Sequence, residues 1–185
     1  REVEEIIKEL RKSTTDVAET VERLIKRSRE STKEVADRVK RLIDEVRRVV
    51  EDVERKVRRI KDREKIEKLL RELRKILREV LEEVEKLLRE NEKVSRTVLK
   101  EIRRLLRENE KVVKEALDEV RKRVEDERIE KEIEDVVREM EERTKRLEKR
   151  AEEVNEENKR RSDELRKRIK KAVDEVEKRL DEIRN

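Results

Sequence analysis

The sequence predicts an all-helical fold, in which three long, nearly straight helices form one antiparallel, up-down-up bundle. Three observations support this prediction. The 185-residue chain contains no Gly and no Pro, so the usual signals for turns and helix breaks are missing. Its Leu, Val and Ile residues recur with a period of 18 residues. Two interruptions of that period divide the chain into three segments of about 60 residues each.

The 18-residue repeat is visible in all three segments. In the second segment, the motif Leu-Leu-Arg-Glu begins at Leu69 and returns at Leu87 and Leu105. Eighteen residues make about five α-helical turns. An apolar stripe with this period stays on one side of a straight helix, whereas a heptad stripe imposes a left-handed supercoil. The same spacing runs from Val3 through Val21 to Val39 in the first segment, and through Ile129, Leu147, Leu165 and Ile183 in the third.

The first helix is predicted over about residues 1–61. After Ile60 the next apolar residue would fall near position 64, but residues 61–65 are all charged. The stripe restarts at Ile66, about 240° around the helix from Ile60. We expect a tight turn here, with Asp62 as the N-cap of the next helix. The alternative is one unbroken helix, and it would require a stripe that jumps sideways.

The second and third helices are predicted over about residues 64–125 and 129–185. The second stripe reaches Val124 and then meets four charged residues before Ile129 restarts it about 140° out of phase. Asp126 is the second N-cap candidate. Because both connections are short, neighbouring helices should be antiparallel. The chain is therefore predicted to form a single elongated domain over residues 1–185, with helices about 90 Å long.

The composition indicates a solvated surface rather than a binding surface for nucleic acid or lipid. Charged residues make up 60% of the chain, and Lys and Arg exceed Asp and Glu by only five. The two signs alternate along the sequence, whereas nucleic-acid binding usually shows a one-sided basic patch with aromatic side chains. No apolar run approaches the ~20 residues that span a bilayer. We also expect no signal peptide, and no nucleic-acid or membrane partner.

The sequence lacks the residue types that most catalytic sites require. Without His or Cys, zinc and other transition-metal sites are disfavoured, and nucleophilic triads lack their base. Without Gly, no glycine-rich loop can surround a phosphate. Paired carboxylates such as Glu156-Glu157 have Lys or Arg three or four residues away, which is typical of a solvated helix face. We predict that the chain is not an enzyme and has no catalytic, cofactor-binding or metal-binding residues.

Small polar residues interrupt the apolar stripes. Projection at 100° per residue leaves Lys, Arg, Asp and Glu outside the middle of each stripe, but places Asn, Ser and Thr within it. The repeat shows that these are substitutions of core positions, since Asn91 and Asn109 occupy the position held by Leu73. Thr15 and Thr97 project outward. The predicted polar set is Ser13, Thr14, Ser28, Ser31, Thr32, Asn91, Ser95, Asn109, Thr144, Asn155, Asn158 and Ser162.

These polar residues are predicted to lie at common levels on the three helices. Turns centred near positions 63 and 126–127 align Ser31 with Ser95 and Asn158, Asn91 with Ser162 beside Thr32, Ser28 with Asn155, and Asn109 with Thr144 within a turn of Thr14. A buried hydroxyl or amide without a partner costs about 1–3 kcal/mol. A shifted register would separate the partners, so polar layers select one alignment. A cation site is the less favoured reading, because hard cations prefer carboxylates.

The combination of features resembles a known class of proteins. The straight 18-residue repeat, the Leu/Val/Ile core, the Glu/Lys/Arg surface and the Asn/Ser/Thr layers from Val3 to Ile183 are similar to computationally designed parametric helical bundles with buried hydrogen-bond networks. The resemblance implies a hyperstable, soluble synthetic scaffold that is produced in the bacterial cytoplasm and needs no cofactor and no partner. Such designs often carry Gly at their turns, and this chain has none.

Two functions remain open at this point. The first is a structural scaffold. The second is an interaction module that self-associates or accepts an added helix along one edge of helix two. Helix two favours the second function, because it has 22 large apolar residues, against 18 and 13 on helices one and three. Its stripe also extends sideways through Leu81, Leu99 and Leu117.

Overall fold

The computed structural model describes residues 2–184 and contains three long helices. Helix α1 spans Glu2–Val57, α2 spans Arg63–Arg123 and α3 spans Glu127–Arg184. No strand occurs within the described residues. The all-helical, three-helix prediction is confirmed. The ends predicted at Arg1 and Asn185 lie outside the described residues.

The first turn is longer than predicted, because α1 ends at Val57 and not near residue 61. The backbone N–H groups of Arg59 and Ile60 bond carbonyls only three residues back, at 3.1 Å each. This tighter pattern is typical of a helix that is ending. Residues 58–62 therefore form the turn. In the second turn, α2 ends two residues earlier and α3 begins two residues earlier than predicted.

Both predicted N-caps are confirmed. The Asp62 carboxylate accepts a hydrogen bond from the backbone N–H of Glu64 at 3.0 Å, and Asp126 does the same for Arg128. The two Asp carbonyls also accept the first intrahelical bonds, from Ile66 and Glu130. Each Asp therefore satisfies one of the backbone donors that a helix start leaves unpaired.

Neither turn needs glycine. No described residue has a positive φ angle and no described peptide bond is cis. An L-residue with a side chain can adopt every backbone conformation that the two turns use. This explains how a chain without Gly or Pro reverses direction twice.

Residue packing divides the chain into two compact units, and every helix contributes to both. The described residues of unit 1 are 2–29 and 94–157, and those of unit 2 are 30–93 and 158–184. In each unit the residue numbers rise along α1 and α3 while they fall along α2, as an up-down-up topology requires. We describe each unit by itself.

Each unit has two apolar clusters. In unit 1, one cluster contains Ile7, Leu117 and Ile133, and the other contains Ile25 and Ile102 with their neighbours. In unit 2, one cluster is built around Val39, Leu88 and Leu165, and the other around Val50, Leu77 and Leu180. Burial of these side chains from all three helices provides the main stabilisation of the bundle.

Candidate functional site

Asn91 is the centre of a buried polar cluster in unit 2. Its Nδ2 donates to the hydroxyl of Thr32 at 2.8 Å, and its Oδ1 accepts from the hydroxyl of Ser31 at 3.0 Å. Asn91 and Thr32 are buried and Ser31 is half-buried. Because one amide binds two consecutive α1 hydroxyls, a shift of α1 along α2 would break both bonds.

Unit 1 contains two smaller polar contacts between α1 and α2. The hydroxyls of Ser28 and Ser95 are 3.4 Å apart, and both residues are buried. Asn109 Nδ2 donates to Thr14 Oγ1 at 3.4 Å, while the Thr14 hydroxyl donates to the Leu10 carbonyl at 3.0 Å. Along the chain, Asn109 and Thr14 fall between the two apolar clusters of this unit.

The alignment of α1 with α2 differs from the predicted one by about one helical turn. Ser31 was expected level with Ser95, but Ser95 contacts Ser28 and Ser31 contacts Asn91. The cause is the first turn. Because α1 ends four residues before its predicted end, the turn is centred before position 63. Each α2 residue therefore lies beside an α1 residue that comes earlier in the chain than the predicted one. The proximity of Asn91 to Thr32, and of Asn109 to Thr14, is as predicted.

The other predicted polar residues occupy varied environments. Asn158 and Ser162 are buried on α3 in unit 2, and Thr144 and Asn155 are half-buried on α3 in unit 1. Ser13 is exposed, so its predicted place within the apolar stripe is wrong. Thr15, expected to be an ordinary surface residue, is half-buried and accepts a hydrogen bond from Arg143 of α3 at 3.1 Å.

Ser162 is a polar side chain with an unsatisfied atom. The residue is 1% exposed, and its hydroxyl oxygen has no hydrogen-bond partner among the protein groups. It was predicted to lie level with Asn91, but the amide of Asn91 is occupied by Ser31 and Thr32. The amide of Asn91 bonds residues of α1, and the Ser162 hydroxyl is left without a protein partner.

Ion pairs lie along the α1–α3 and α2–α3 boundaries. In unit 1, Arg103 of α2 pairs with Glu152 of α3 at 2.8 Å, and Arg150 of α3 pairs with Glu22 of α1 at 3.4 Å. In unit 2, Arg179 of α3 pairs with Glu54 of α1 at 2.7 Å. Pairs of this kind, at the boundary between two helices, contribute mainly to alignment, because exposed ion pairs are individually weak.

Arg166 forms the densest ionic contact in unit 2. It reaches Glu85 at 3.1 Å and Asp163 at 3.1 Å, and it also contacts Glu92. The hydrogen bond from Arg166 lowers the pKa of Glu85 below its usual value, although partial burial opposes this shift. The carboxylates in turn raise the pKa of Arg166. This cluster could not be predicted from the sequence, because Glu85 and Glu92 lie on α2 whereas Asp163 and Arg166 lie on α3.

A row of apolar residues on α2 remains exposed. Ile76, Val94 and Val112 are 45%, 48% and 58% exposed, and they are 18 residues apart. The predicted edge of helix two was a different one, through Leu81, Leu99 and Leu117. Leu117 is fully buried, and Leu81 and Leu99 pack against apolar clusters, so they belong to the core. The 18-residue spacing does not distinguish the exposed row from the buried one, because both rows have it.

The described residues offer no evident place for a metal ion. No group of three or more His, Cys, Asp or Glu side chains within residues 2–184 is arranged to hold one. Within the same residues, no helix has a segment long and apolar enough to cross a membrane.

The fold agrees with a solved structure. The chain is similar to a protein described as a "Computationally designed three helix bundle", with a TM-score of 0.68 and 21% sequence identity. The similarity covers 98% of this chain and 92% of that chain. No protein-family model and no curated protein matches the sequence. At this identity the similarity shows the three-helix fold alone.

Proposed function

We propose that this protein is a computationally designed structural scaffold without catalytic activity, whose helix alignment is specified by buried Asn, Ser and Thr side chains. The observation that carries the proposal is the cluster of Asn91 with Ser31 and Thr32. Polar groups inside an otherwise Leu/Val/Ile core cost free energy unless they are paired. Their presence at interhelical contacts is best explained by selection of one register. The similar designed bundle supports a designed origin.

The test is the double variant Asn91→Leu and Asn158→Leu. Both residues are buried in unit 2, and the 18-residue repeat has Leu73 at a position that corresponds to Asn91 and Met140 and Val176 at those that correspond to Asn158. We expect the variant to stay helical by circular dichroism but to lose its single register or size. The ¹H–¹⁵N correlation spectrum should then broaden or double, and light scattering should depart from the mass of a single chain. A matched control is Leu70→Ile with Leu165→Ile, because conservative core changes usually preserve a unique fold.

We also propose that the chain is a single domain that unfolds in one transition at high denaturant concentration. The support is that every helix contributes residues to both packing units without interruption. Idealised helical proteins of this kind are typically hyperstable. Denaturation followed by circular dichroism and by hydrogen exchange, with amide probes in each unit, should give coincident midpoints. Two separate midpoints would contradict the single domain.

A second candidate function is an interaction module. Val94 and Val112 of unit 1 favour it, because they are exposed and the half-buried Val98 and Leu105 between them complete an apolar row along α2. The row would contact a further helix, from a second copy or from another chain. A solution mass near 22.8 kDa at all concentrations would exclude obligate self-association.

A further inference from the structure

The side of unit 1 between α1 and α2 carries an apolar row on each helix. We call this surface the α1–α2 groove and define it by Ile6, Val17 and Leu24 on α1, and by Val94, Val98, Leu105 and Val112 on α2. Ile6, Val94 and Val112 are exposed, and the other four residues are half-buried. An open cavity of about 400 Å³ lies at Val17 and Leu105, with Ser13 and Thr20 also in its lining.

The groove differs from the other two sides of the same unit. Among the described residues of unit 1, each interhelical ion pair has one member on α3, as with Arg11–Glu139 and Lys114–Glu141. Such pairs cover the α1–α3 and α2–α3 boundaries with charged side chains. Between α1 and α2 the cavity is lined by Val17, Leu105, Ser13 and Thr20, with Glu9, Lys12 and Asp16 on its α1 side. This side of the unit therefore has the shape and polarity of a site for one more helix.

The residues that border the groove are mainly acidic. On α1 the outer border carries Glu9 and Asp16, with Lys12 at the cavity and Arg27 in the same direction as Glu9 on a helical projection. On α2 a helical projection places Glu101, Glu108, Glu115 and Glu119 within about 60° of the apolar row, on its outer side. Arg104 lies farther out and is paired with Glu101 and Glu108. The border consequently has an excess of negative charge.

We propose that the α1–α2 groove binds an amphipathic helix whose apolar stripe is bordered by Lys and Arg. We choose a basic partner because the acidic residues at the border of the groove would attract a helix of opposite charge. A second copy of this chain would bring two acidic borders together, which disfavours self-association through this face. The α2 row from Val94 to Val112 is about 27 Å long, so a partner helix of about 20–25 residues would cover it. This proposal deepens the second candidate function and rests on it.

The test uses two synthetic 28-residue peptides labelled with fluorescein. Both have Leu at the a and d positions of four heptads, and they differ in carrying Lys or Glu at the e and g positions. Fluorescence anisotropy should show that the Lys peptide binds at least tenfold more tightly than the Glu peptide, and that added salt weakens its binding. Equal binding of the two peptides, or no binding of the Lys peptide, would overturn the proposal.

Two pairs of variants locate the site. Val94→Asn with Val112→Asn should weaken binding of the Lys peptide at least tenfold, and so should Glu9→Lys with Glu115→Lys. The matched control is Glu134→Lys with Glu153→Lys, which makes the same charge change at exposed α3 positions of unit 1. If the control weakens binding as much as the groove variants do, the attraction is non-specific and the proposed site is wrong.

Two further measurements separate failure of this proposal from failure of the interaction function itself. Light scattering of the unmodified protein should give the mass of one chain. If the unmodified protein is instead a dimer, and the double variant Val94→Asn, Val112→Asn is a monomer, then a second copy occupies the groove. This result would overturn the proposal of a basic helix but would support the interaction function. Circular dichroism and denaturation of each variant should match those of the unmodified protein, because the changed side chains are exposed.

Discussion

Asn91 donates a hydrogen bond to Thr32 across the α1–α2 contact of unit 2, with 2.8 Å between Nδ2 and Oγ1 and both side chains buried. The preceding residue of α1, Ser31, donates its hydroxyl hydrogen to Oδ1 of the same amide. One α2 side chain thus forms hydrogen bonds with two consecutive residues of α1. This arrangement makes the contact sensitive to the loss of a single hydroxyl.

Thr32→Val should therefore destabilise the protein. Valine has nearly the same shape as threonine but leaves Asn91 Nδ2 buried without an acceptor, at a cost of about 1–3 kcal/mol in the free energy of unfolding. Urea or guanidinium denaturation would measure this change. Thr20→Val, which removes a hydroxyl whose hydrogen bonds with Asp16 and Arg23 are exposed, is the control and should change stability by less than about 0.5 kcal/mol. Equal effects of the two variants would contradict a role for the hydrogen bond.

Ser162→Ala should stabilise the protein by about 0.5–1.5 kcal/mol. The substitution removes a buried hydroxyl oxygen that has no protein partner, and alanine has a higher helix propensity than serine. Ser95→Ala is the matched comparison, since it removes a buried hydroxyl that contacts Ser28 at 3.4 Å, and it should not stabilise to the same extent. Thermal and chemical denaturation would compare the two. A clear loss of stability in Ser162→Ala would show that this hydroxyl has a stabilising partner.

Asp62→Ala and Asp126→Ala should each cost about 1 kcal/mol. Each substitution leaves a backbone N–H of a helix start without the carboxylate that accepts from it at 3.0 Å. Replacement by Asn should retain most of the stability, because an amide oxygen can accept the same hydrogen bond. Asp174→Ala, at an exposed position within α3, is the control for loss of a carboxylate. If Asn fails to rescue, the hydrogen bond is not the source of the effect.

The stability of the protein should decline in acid partly through Glu85. Arg166 holds the pKa of Glu85 below its usual value of 4.5, so the folded state favours the ionised carboxylate more than the unfolded state does. This contribution is complete above pH 4.5 and is lost as the pH falls through the lowered pKa. Glu85→Gln should accordingly lose less stability than the unmodified protein between pH 6 and pH 3.

The control for this pH experiment is Glu79→Gln, which removes an exposed carboxylate from the same helix. Its stability should follow the pH profile of the unmodified protein more closely than that of Glu85→Gln. High salt should reduce the difference between the two variants, because the Glu85–Arg166 pair is partly exposed and therefore screened. Parallel profiles for all three proteins would show that this pair does not couple folding to pH.

The number of helices and their N-caps could be predicted from the sequence, because the signals are local. The charged residues that interrupt the stripes, and the aspartates within them, act within a few positions along the chain. The register of α1 against α2 was predicted one turn away from its actual position. That register depends on how the chain closes between Val57 and Arg63, where no Gly or Pro marks the end of the helix.

The positions of individual side chains were harder to predict, because they depend on where each stripe meets its neighbours. Helical projection placed Ser13 within the stripe, but the residue lies on the side of α1 that no other helix covers. The same open side exposes Val94 and Val112. Leu117, at the opposite border of the α2 stripe, is covered. Projection of a single helix gives the width of its apolar face but does not show which part of that face has a partner.

The absence of positive φ angles has a practical consequence for energetic studies. Every described residue adopts a backbone conformation that alanine also adopts readily. A complete alanine scan of residues 2–184 would therefore proceed without backbone strain at the substituted position. The measured losses would report side-chain contacts and helix propensity alone, which makes this chain a suitable host for calibrating individual interactions.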